Sequence, residues 1–336
     1  MAENKEQNEK NWSLKDFNYP VPEHAKKFGY TVGGVTLTGF ALLIITGIIM
    51  AFFITPTVNQ ANQSVWELAS NPWGFWLRSF HRWLAEAVMF LIILHMSRII
   101  FTGSYRGKRK LNWFFGIVLF LITFVFFFSG TVVKWDQEGY EAFQHSIEAL
   151  ELLPVFGPLL AEFVSGTAVV MRMFVTHTLV LPLLLLIFLI PHLILMKLNG
   201  LSPLPGKETT RTITFSEHVK KIFAWSFVIY GFIGYLAMQF PAVLYPGPYS
   251  GVEITKPPWL FLVLYQFEDW LGLSTLLILP LFITLGLVLL PYIDSKKDDY
   301  SLIRKTVVWG YLIIVAIFIT FIINVAISPP VQHLSM

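Results

Sequence analysis

Apolar residues in this chain do not alternate with polar ones over most of its length. They run together in blocks too long for the buried face of a soluble helix. Seven such blocks lie at positions 33–54, 83–103, 113–133, 174–196, 223–240, 271–292 and 307–327. About 20 mostly apolar residues cross the hydrocarbon core of a bilayer, so the pattern predicts seven transmembrane helices. The stretch 136–163 is too polar to span, yet Phe143, Ile147, Leu150 and Leu153 recur in it at helical spacing. That predicts amphipathic helices lying on a membrane surface. The first 30 residues mix five Lys with five acids and contain no apolar run, which is unlike a secretory signal. A break at Leu201-Ser202-Pro203-Leu204-Pro205 leaves four spans before it and three after.

Composition narrows the chemistry. Charged residues make up 13% of the 336, about half the share of a soluble domain, and hydrophobic residues 55%. Such a chain cannot clothe a soluble globule of this size. With 31 Phe, 11 Trp and 12 Tyr it is also too aromatic to be disordered. The absence of Cys excludes disulfides, thiolate metal sites, Cys-ligated iron–sulfur clusters and thioether-linked haem on this chain. A net charge of +3 is too small to imply nucleic acid. Reactive chemistry must therefore use His, carboxylates or a bound cofactor.

Loop charges set an orientation. Arg98, Arg106, Lys108, Arg109 and Lys110 follow the second span, Lys197, Lys207, Arg211, Lys220 and Lys221 the fourth, and Lys296, Lys297, Arg304 and Lys305 the sixth. Between the third and fourth spans acids dominate instead. The alternation puts the N-terminus in the cytoplasm and the C-terminus outside.

Of eight histidines, His24, His145, His218 and His333 lie in polar or terminal segments and carry no evident role. The other four lie at membrane depth, where polar side chains are costly and face the bundle interior. The step from His81 to His95, on the second span, is 14; the step from His177 to His192, on the fourth, is 15. At about 100° per residue the first pair returns to within roughly 40° of one direction, and the second is offset about 60° the other way. Both spans run the same way, so His81 faces His177 and His95 faces His192. Two neutral imidazoles on facing helices suit the axial positions of an iron porphyrin, and bundle cores commonly hold such cofactors. A single such His is more often a hydrogen-bonded interior residue; a matched two-by-two set points to two haems. Zinc fits poorly, because ligands roughly 21 Å apart along a helix cannot share one ion.

Glycine and arginine placement agrees. Gly33 and Gly47 on the first span, and Gly116 and Gly130 on the third, repeat the 14-residue step on the helices that lack His. Gly inside a helix costs about 1 kcal/mol relative to Ala, so its repetition suggests close approach of a flat group; ordinary small-residue packing is the plainer reading of either pair alone. Arg78, Arg82 and Arg98 sit at span ends near the histidines, where haem propionates need charge-assisted partners and where Arg also anchors spans in the interface.

These strings together resemble the cytochrome b family of quinol-oxidising cytochrome bc and bf complexes, over nearly the whole chain. The resemblance rests on Arg78-Ser79-Phe80-His81-Arg82-Trp83, His95-Met96-Ser97-Arg98, Gly116 with Gly130, Val133-Lys134-Trp135-Asp136-Gln137, and His177-Thr178-Leu179-Val180-Leu181-Pro182 followed by His192. The 15-residue step is similar to the bf branch, and the last three spans look like the separate fourth subunit of that complex, here fused. The resemblance implies an all-α polytopic membrane protein with three regions. These are a cytoplasmic N-terminal segment (1–32), a four-helix dihaem domain (33–200) and a three-helix domain (201–336). It implies an outer haem on His81 and His177 and an inner one on His95 and His192. It implies quinol oxidation near the outer face around Trp135, Asp136, Pro258, Trp259 and Glu268, and Lys197 near an inner quinone site. Implied partners are a Rieske iron–sulfur protein and a c-type cytochrome, single or multihaem, in a homodimeric complex of a bacterial cytoplasmic membrane with its lipid.

Two departures qualify the resemblance. The bf branch attaches an extra haem through a Cys where this chain has Thr31, which forbids the covalent link and leaves a non-covalent third haem open. The family carries Pro-Glu-Trp-Tyr at the outer quinol site, its Glu accepting a quinol proton; here the string is Lys256-Pro257-Pro258-Trp259-Leu260. Glu253, Glu268 and Asp269 are the nearest carboxylates along the chain, Glu268 about 15 Å downstream if the stretch is helical. Three functions remain in view. The first is a bifurcating quinol:cytochrome c oxidoreductase subunit with proton translocation. The second is a non-bifurcating dihaem conduit with an altered outer site. The third is a secondary transporter with buried His as proton relays. Against the transporter, Pro182 and Pro191 are expected to have no counterpart in the C-terminal half.

Overall fold

The structure is a computed structural model that describes residues 18–202, 211–295, 301–331 and 333. It is all-α apart from one small sheet. The seven long apolar helices are Phe28–Ala51, Pro72–Phe101, Gly107–Val133, Val169–Asn199, Phe215–Gln239, Thr275–Ile293 and Leu302–Ile327. We label the elements α1 (Phe28–Ala51), α2 (Ala61–Ala69), α3 (Pro72–Phe101), α4 (Lys110–Val133), α5 (Gln137–Glu151), α6 (Gly157–Val164), α7 (Val169–Val175), α8 (Leu181–Asn199), α9 (Phe215–Gln239), α10 (Leu262–Leu271), α11 (Thr275–Ile293) and α12 (Leu302–Ile327).

Several helices begin well before their apolar block, because capping rather than hydropathy starts them. Helix α3 starts at Pro72, where the Asn71 side chain accepts from Gly74 N at 2.9 Å and Pro occupies the first turn. Helix α9 starts after Thr214, whose hydroxyl accepts from Glu217 N. The first span ends at Ala51, short of the expected residue 54. The expected surface helices are α5 and α6; α2 and α10 add two more that hydropathy did not announce. Prolines also occur in the C-terminal half, contrary to expectation, with Pro280 and Pro291 inside α11.

The fourth span is two α segments, α7 and α8, joined by a π turn at Thr176–Val180. Pro182 explains it: its ring lacks an N–H and crowds the carbonyl four residues back, and a single wide turn relieves both defects. The π turn takes up one extra residue. The 15-residue step from His177 to His192 then behaves as 14, so the second pair takes the same offset of roughly 40° as the first.

Helices α1 and α3 pack along one another, and α4 packs along α7 and α8. Helix α9 lies against α1 and α3, where the Tyr230 hydroxyl donates to Val35 O at 2.5 Å and Thr38 bonds Ser226 at 2.6 Å. The first C-terminal span is thus part of the same packed core as the first four, with Val35, Leu84, Val88, Tyr230 and Ile233 in one cluster. Lipid-type residues such as Ile48, Leu186, Phe227 and Leu281 face outward. At the His95 end, strands β1 (Pro20–Pro22) and β2 (Thr212–Thr214) pair antiparallel. At the same end Asp294 accepts from Tyr105 and Arg304, tying the loop after α3 to α11 and α12. Of the three expected regions, residues 1–17 of the first and the break at 203–210 lie outside the described residues, as do Lys207, Lys296 and Lys297.

Candidate functional site

The four membrane-depth histidines meet in two pairs. His81 on α3 and His177 in the π turn face each other with ring centroids 6.5 Å apart. Two imidazoles that each bond one metal ion at about 2 Å need a separation of this order. His95 and His192 form the second pair near the other membrane face, about 21 Å away along α3 at 1.5 Å per residue.

Hydrogen bonds fix which ring nitrogens are left over. The Thr46 hydroxyl donates to Leu42 O, so its oxygen accepts from His81 Nδ1–H at 2.8 Å. Ser129 donates to Phe126 O and accepts from His177 Nδ1–H at 3.0 Å. His192 Nδ1 lies 3.2 Å from Asn112 O, which can only accept. Three of the four rings therefore present an unprotonated Nε2, as an iron ligand requires, with the other nitrogen held by the protein. The sequence reading missed Thr46, Ser129 and Asn112. Their signal was position: Thr46 precedes Gly47 and Ser129 precedes Gly130.

The glycines sit against these rings. A Cβ on Gly33 would lie 2.9 Å from His95, and one on Gly130 would lie 2.8 Å from His177. At Gly47 the gap to His81 is 3.3 Å, and at Gly116 the gap to His192 is 3.5 Å, so these two positions are less restrictive. Around the first pair is a cavity of about 1150 Å³, with Gly47, Gly130, Arg78 and Arg82 in its wall. Arg78 reaches the carbonyls of Ala242 and Val243, while its Nε is buried without a partner. Arg98 bonds Ser202 at 2.7 Å and lies 3.8 Å over the Tyr30 ring, and its Nε is likewise unsatisfied. Facing imidazoles, glycine-lined walls and orphaned guanidinium nitrogens fit a porphyrin with charged propionates at both positions.

Glu86 was passed over in the sequence. It is the single carboxylate deep within the apolar stretch of any span. Its Oε1 lies 2.9 Å from Arg82 Nε, its Oε2 is buried without a partner, and the Trp259 indole stands beside it. Thr31 is fully buried, its hydroxyl on Phe28 O. Lys197 lies 5.3 Å over the Tyr19 ring.

Beside the first cavity is a second, of about 350 Å³, and Pro258 lines both. Trp259 belongs to the larger cavity and Glu268 to the smaller. Trp135 and Asp136 line neither. Asp136 caps α5 through Gly139 N at 3.0 Å, and takes Lys134 at 2.7 Å and Tyr245 N at 3.0 Å. Gln137 and Glu141 grip the Tyr249, Val252, Ile254 and Thr255 backbone. Trp135, at φ 44°, makes the tight turn that starts α5. This string therefore clamps the loop that carries Pro258 rather than facing either cavity.

Two histidines without an expected role lie here. His145 Nδ1 is 3.0 Å from Glu268 and its Nε2 is 2.8 Å from Glu253. His333 bonds Glu253 through its N–H at 2.7 Å and Asp269 through Nε2 at 2.6 Å. Burial alone would lower the His145 pKa, but hydrogen bonds and charge from Glu253 and Glu268 outweigh it and raise it to about 9. His333 shifts upward for the same opposing causes, while its contacts and those of His145 hold Glu253 well below the usual carboxylate range. Donor atoms of His145, Glu268 and His333 lie within 4.8 Å of one another, but both His145 nitrogens are already taken by carboxylates.

Comparison with known proteins places this geometry. Residues 17–200 match the family model described as Cytochrome b/b6/petB. Cytochrome b6 of Prochlorothrix hollandica is 36% identical over 188 residues, which is 54% of this chain and 84% of that protein. The solved structure titled Hyperthermophilic respiratory Complex III superposes with a TM-score of 0.77 at 22% identity, covering 93% of this chain and 87% of that one. At that identity the likeness speaks for the fold, and it extends through the C-terminal spans.

Proposed function

The chain belongs to the cytochrome b/b6 family, and from that premise we propose that it is the dihaem cytochrome b of a membrane quinol:cytochrome c oxidoreductase-type complex. The carrying observation is the His81–His177 pair, 6.5 Å apart with both Nδ1 atoms held by hydroxyls. His81 and His177 hold one b haem; His95 and His192 hold the other. When bound, the two haems supply one-electron redox centres on the two sides of the membrane midplane. The protein's part is to fix the imidazoles through Thr46, Ser129 and Asn112, to admit the flat ring at Gly33, Gly47, Gly116 and Gly130, and to offer Arg78, Arg82 and Arg98 to the propionates.

Quinol enters the cavity beside Pro258, at the outer face, and Lys197 stands near the inner quinone site. The basic loops support an N-terminus in the cytoplasm and a C-terminus outside, in a bacterial cytoplasmic membrane. The partners are a Rieske iron–sulfur protein and a c-type cytochrome, in a homodimer with proton translocation. Residues 33–200 form the haem domain and 201–336 a fused fourth-subunit-like part.

The test is direct. The purified complex shows a reduced-minus-oxidised b-type spectrum with two haems per chain, and quinol reduces them with the inner site inhibited. A colourless protein overturns the reading. Pro258, which has no side-chain acceptor for a proton, favours a second reading, a non-bifurcating conduit. In that case the haems are present but quinol does not reduce them from the outer side.

A further inference from the structure

We propose that Glu268, His145, Glu253 and His333 form a proton exit from the cavity beside Pro258, Glu268 taking a hydroxyl proton from quinol in place of a carboxylate at position 258. This rests on the reading that the chain oxidises quinol there. The cavity, at 350 Å³, lies in the lower range for small-molecule sites. Phe124, Phe128, Phe261 and Leu264 give it apolar sides suited to a quinol ring. Glu268, His145 and Glu253 stand together in its wall.

The other carboxylates there are spent. Glu141 accepts from the Ile254 and Thr255 amides at 2.8 and 3.0 Å, and Glu138 pairs with Lys134 and lies 3.7 Å from Arg82. From Glu268 the contacts run in one direction. They pass to His145 Nδ1 at 3.0 Å, from its Nε2 to Glu253 at 2.8 Å, and from Glu253 to His333 Nδ1 at 3.3 Å. His333 Nε2 then meets Asp269 at 2.6 Å, and Asp269 is exposed. Carboxylates alternate with imidazoles, and each imidazole has a different carboxylate on each of its two ring nitrogens. An imidazole so placed receives a proton on one side and releases one on the other. The charged and titratable groups beside His145 are Glu138, Glu141, Glu253, Tyr265 and Glu268, which share its cavity wall, and His333, whose ring lies 5.8 Å away.

The step balances as follows. His145, a cation at rest, first sheds a proton outward through Glu253, His333 and Asp269 to water. A quinol O–H bond then breaks and its proton binds the Glu268 carboxylate, which passes it to His145. One proton has left per turn and the cluster regains its starting charge. The accompanying electron goes to a one-electron acceptor, an iron–sulfur centre on a partner chain. His145 at about 9 lies within about one unit of the value near 10 of a phenolic hydroxyl, so the transfer from quinol to the imidazole is nearly balanced.

The experiment uses the assembled complex, with quinol as reductant and the inner site inhibited. His145→Gln and Glu268→Gln are expected to slow b-haem reduction at least tenfold, with haem content and dithionite-reduced spectra unchanged. In the wild type the rate rises with pH to a plateau near 9, and His145→Gln abolishes that rise. Quinol addition produces an infrared carboxylic C=O band that is lost in Glu268→Gln. His333→Asn, at the exit end, slows the reaction and added imidazole restores it. Wild-type rates and pH profiles in the first two variants overturn the proposal, above all if Glu86→Gln alone slows the reaction. A wild-type complex that quinol does not reduce overturns the reading beneath it as well.

Discussion

The residues that matter most here are those without side chains. Gly130 and Gly33 leave no room for even a methyl group beside His177 and His95. Gly130→Ala is expected to push the His177 ring out of place and lose the haem at that pair, while Gly33 and the His95 pair keep theirs. On the proposed dihaem reading, the pigment content falls from two haems per chain to one, read by haem extraction. Retention of two haems with unchanged spectra would show that the ring yields instead. His81, His95, His177 and His192 were legible in the sequence because imidazole at membrane depth is costly enough to need a reason. Thr46 and Ser129 were not, because a hydroxyl that bonds its own helix is tolerated anywhere in a span. Their second bond, to a histidine on another helix, exists only once the helices meet.

At the scale of the element, the π turn in the fourth span decides the register. A plain helix carrying the one extra residue would turn His192 roughly 100° away from where the shorter step puts it. Leu179, in the π turn, and Leu186, in α8, both face outward, at 56% and 45% exposure, so losing either side chain removes little packing. Deleting Leu179 removes the extra residue where it is absorbed, and both haems are retained. Deleting Leu186 leaves the π turn in place and rotates His192 away, so the inner-pair haem is lost. Haem stoichiometry of the two deletions checks this; equal loss in both would mean that the π turn does not set register. The sequence held the clue in Pro182, but proline predicts a defect without saying whether a kink, a break or a wide turn relieves it.

On the scale of the whole molecule, the His145–Glu253–Glu268–His333 cluster joins α5, the Pro258 loop, α10 and the C-terminal segment. Its ion pairs make the assembly pH-dependent. His145 is raised from 6.5 to about 9, so its contribution is fully present below pH 6.5 and is lost as pH rises through 9. Glu253 is depressed, so its contribution is present above about pH 4.5 and is lost as pH falls through its folded value. The stability difference between the wild type and His145→Gln is expected to be on the order of 3 kcal/mol at most between these limits. It shrinks as pH rises from 6.5 through 9, as measured by thermal unfolding in detergent across pH. A difference that stays constant to pH 10 would mean that the imidazole is held by packing and not by charge.

The sequence by itself determined the seven spans, the four membrane-depth histidines and the glycines that meet them. Each of these follows from the cost of putting a given group in hydrocarbon, and that cost is local. Tertiary structure alone decided the tautomers, the register across the π turn and the docking of α9 on α1 and α3. It also decided the use of Trp135-Asp136-Gln137 as a clamp. It alone brought Glu253, Glu268, Asp269, His145 and His333 together. Those five residues are spread from position 145 to position 333, and polar side chains in loops carry no periodicity to say which of them will meet. Only the folded path of the loop around Pro258 brings them within hydrogen-bond reach of one another.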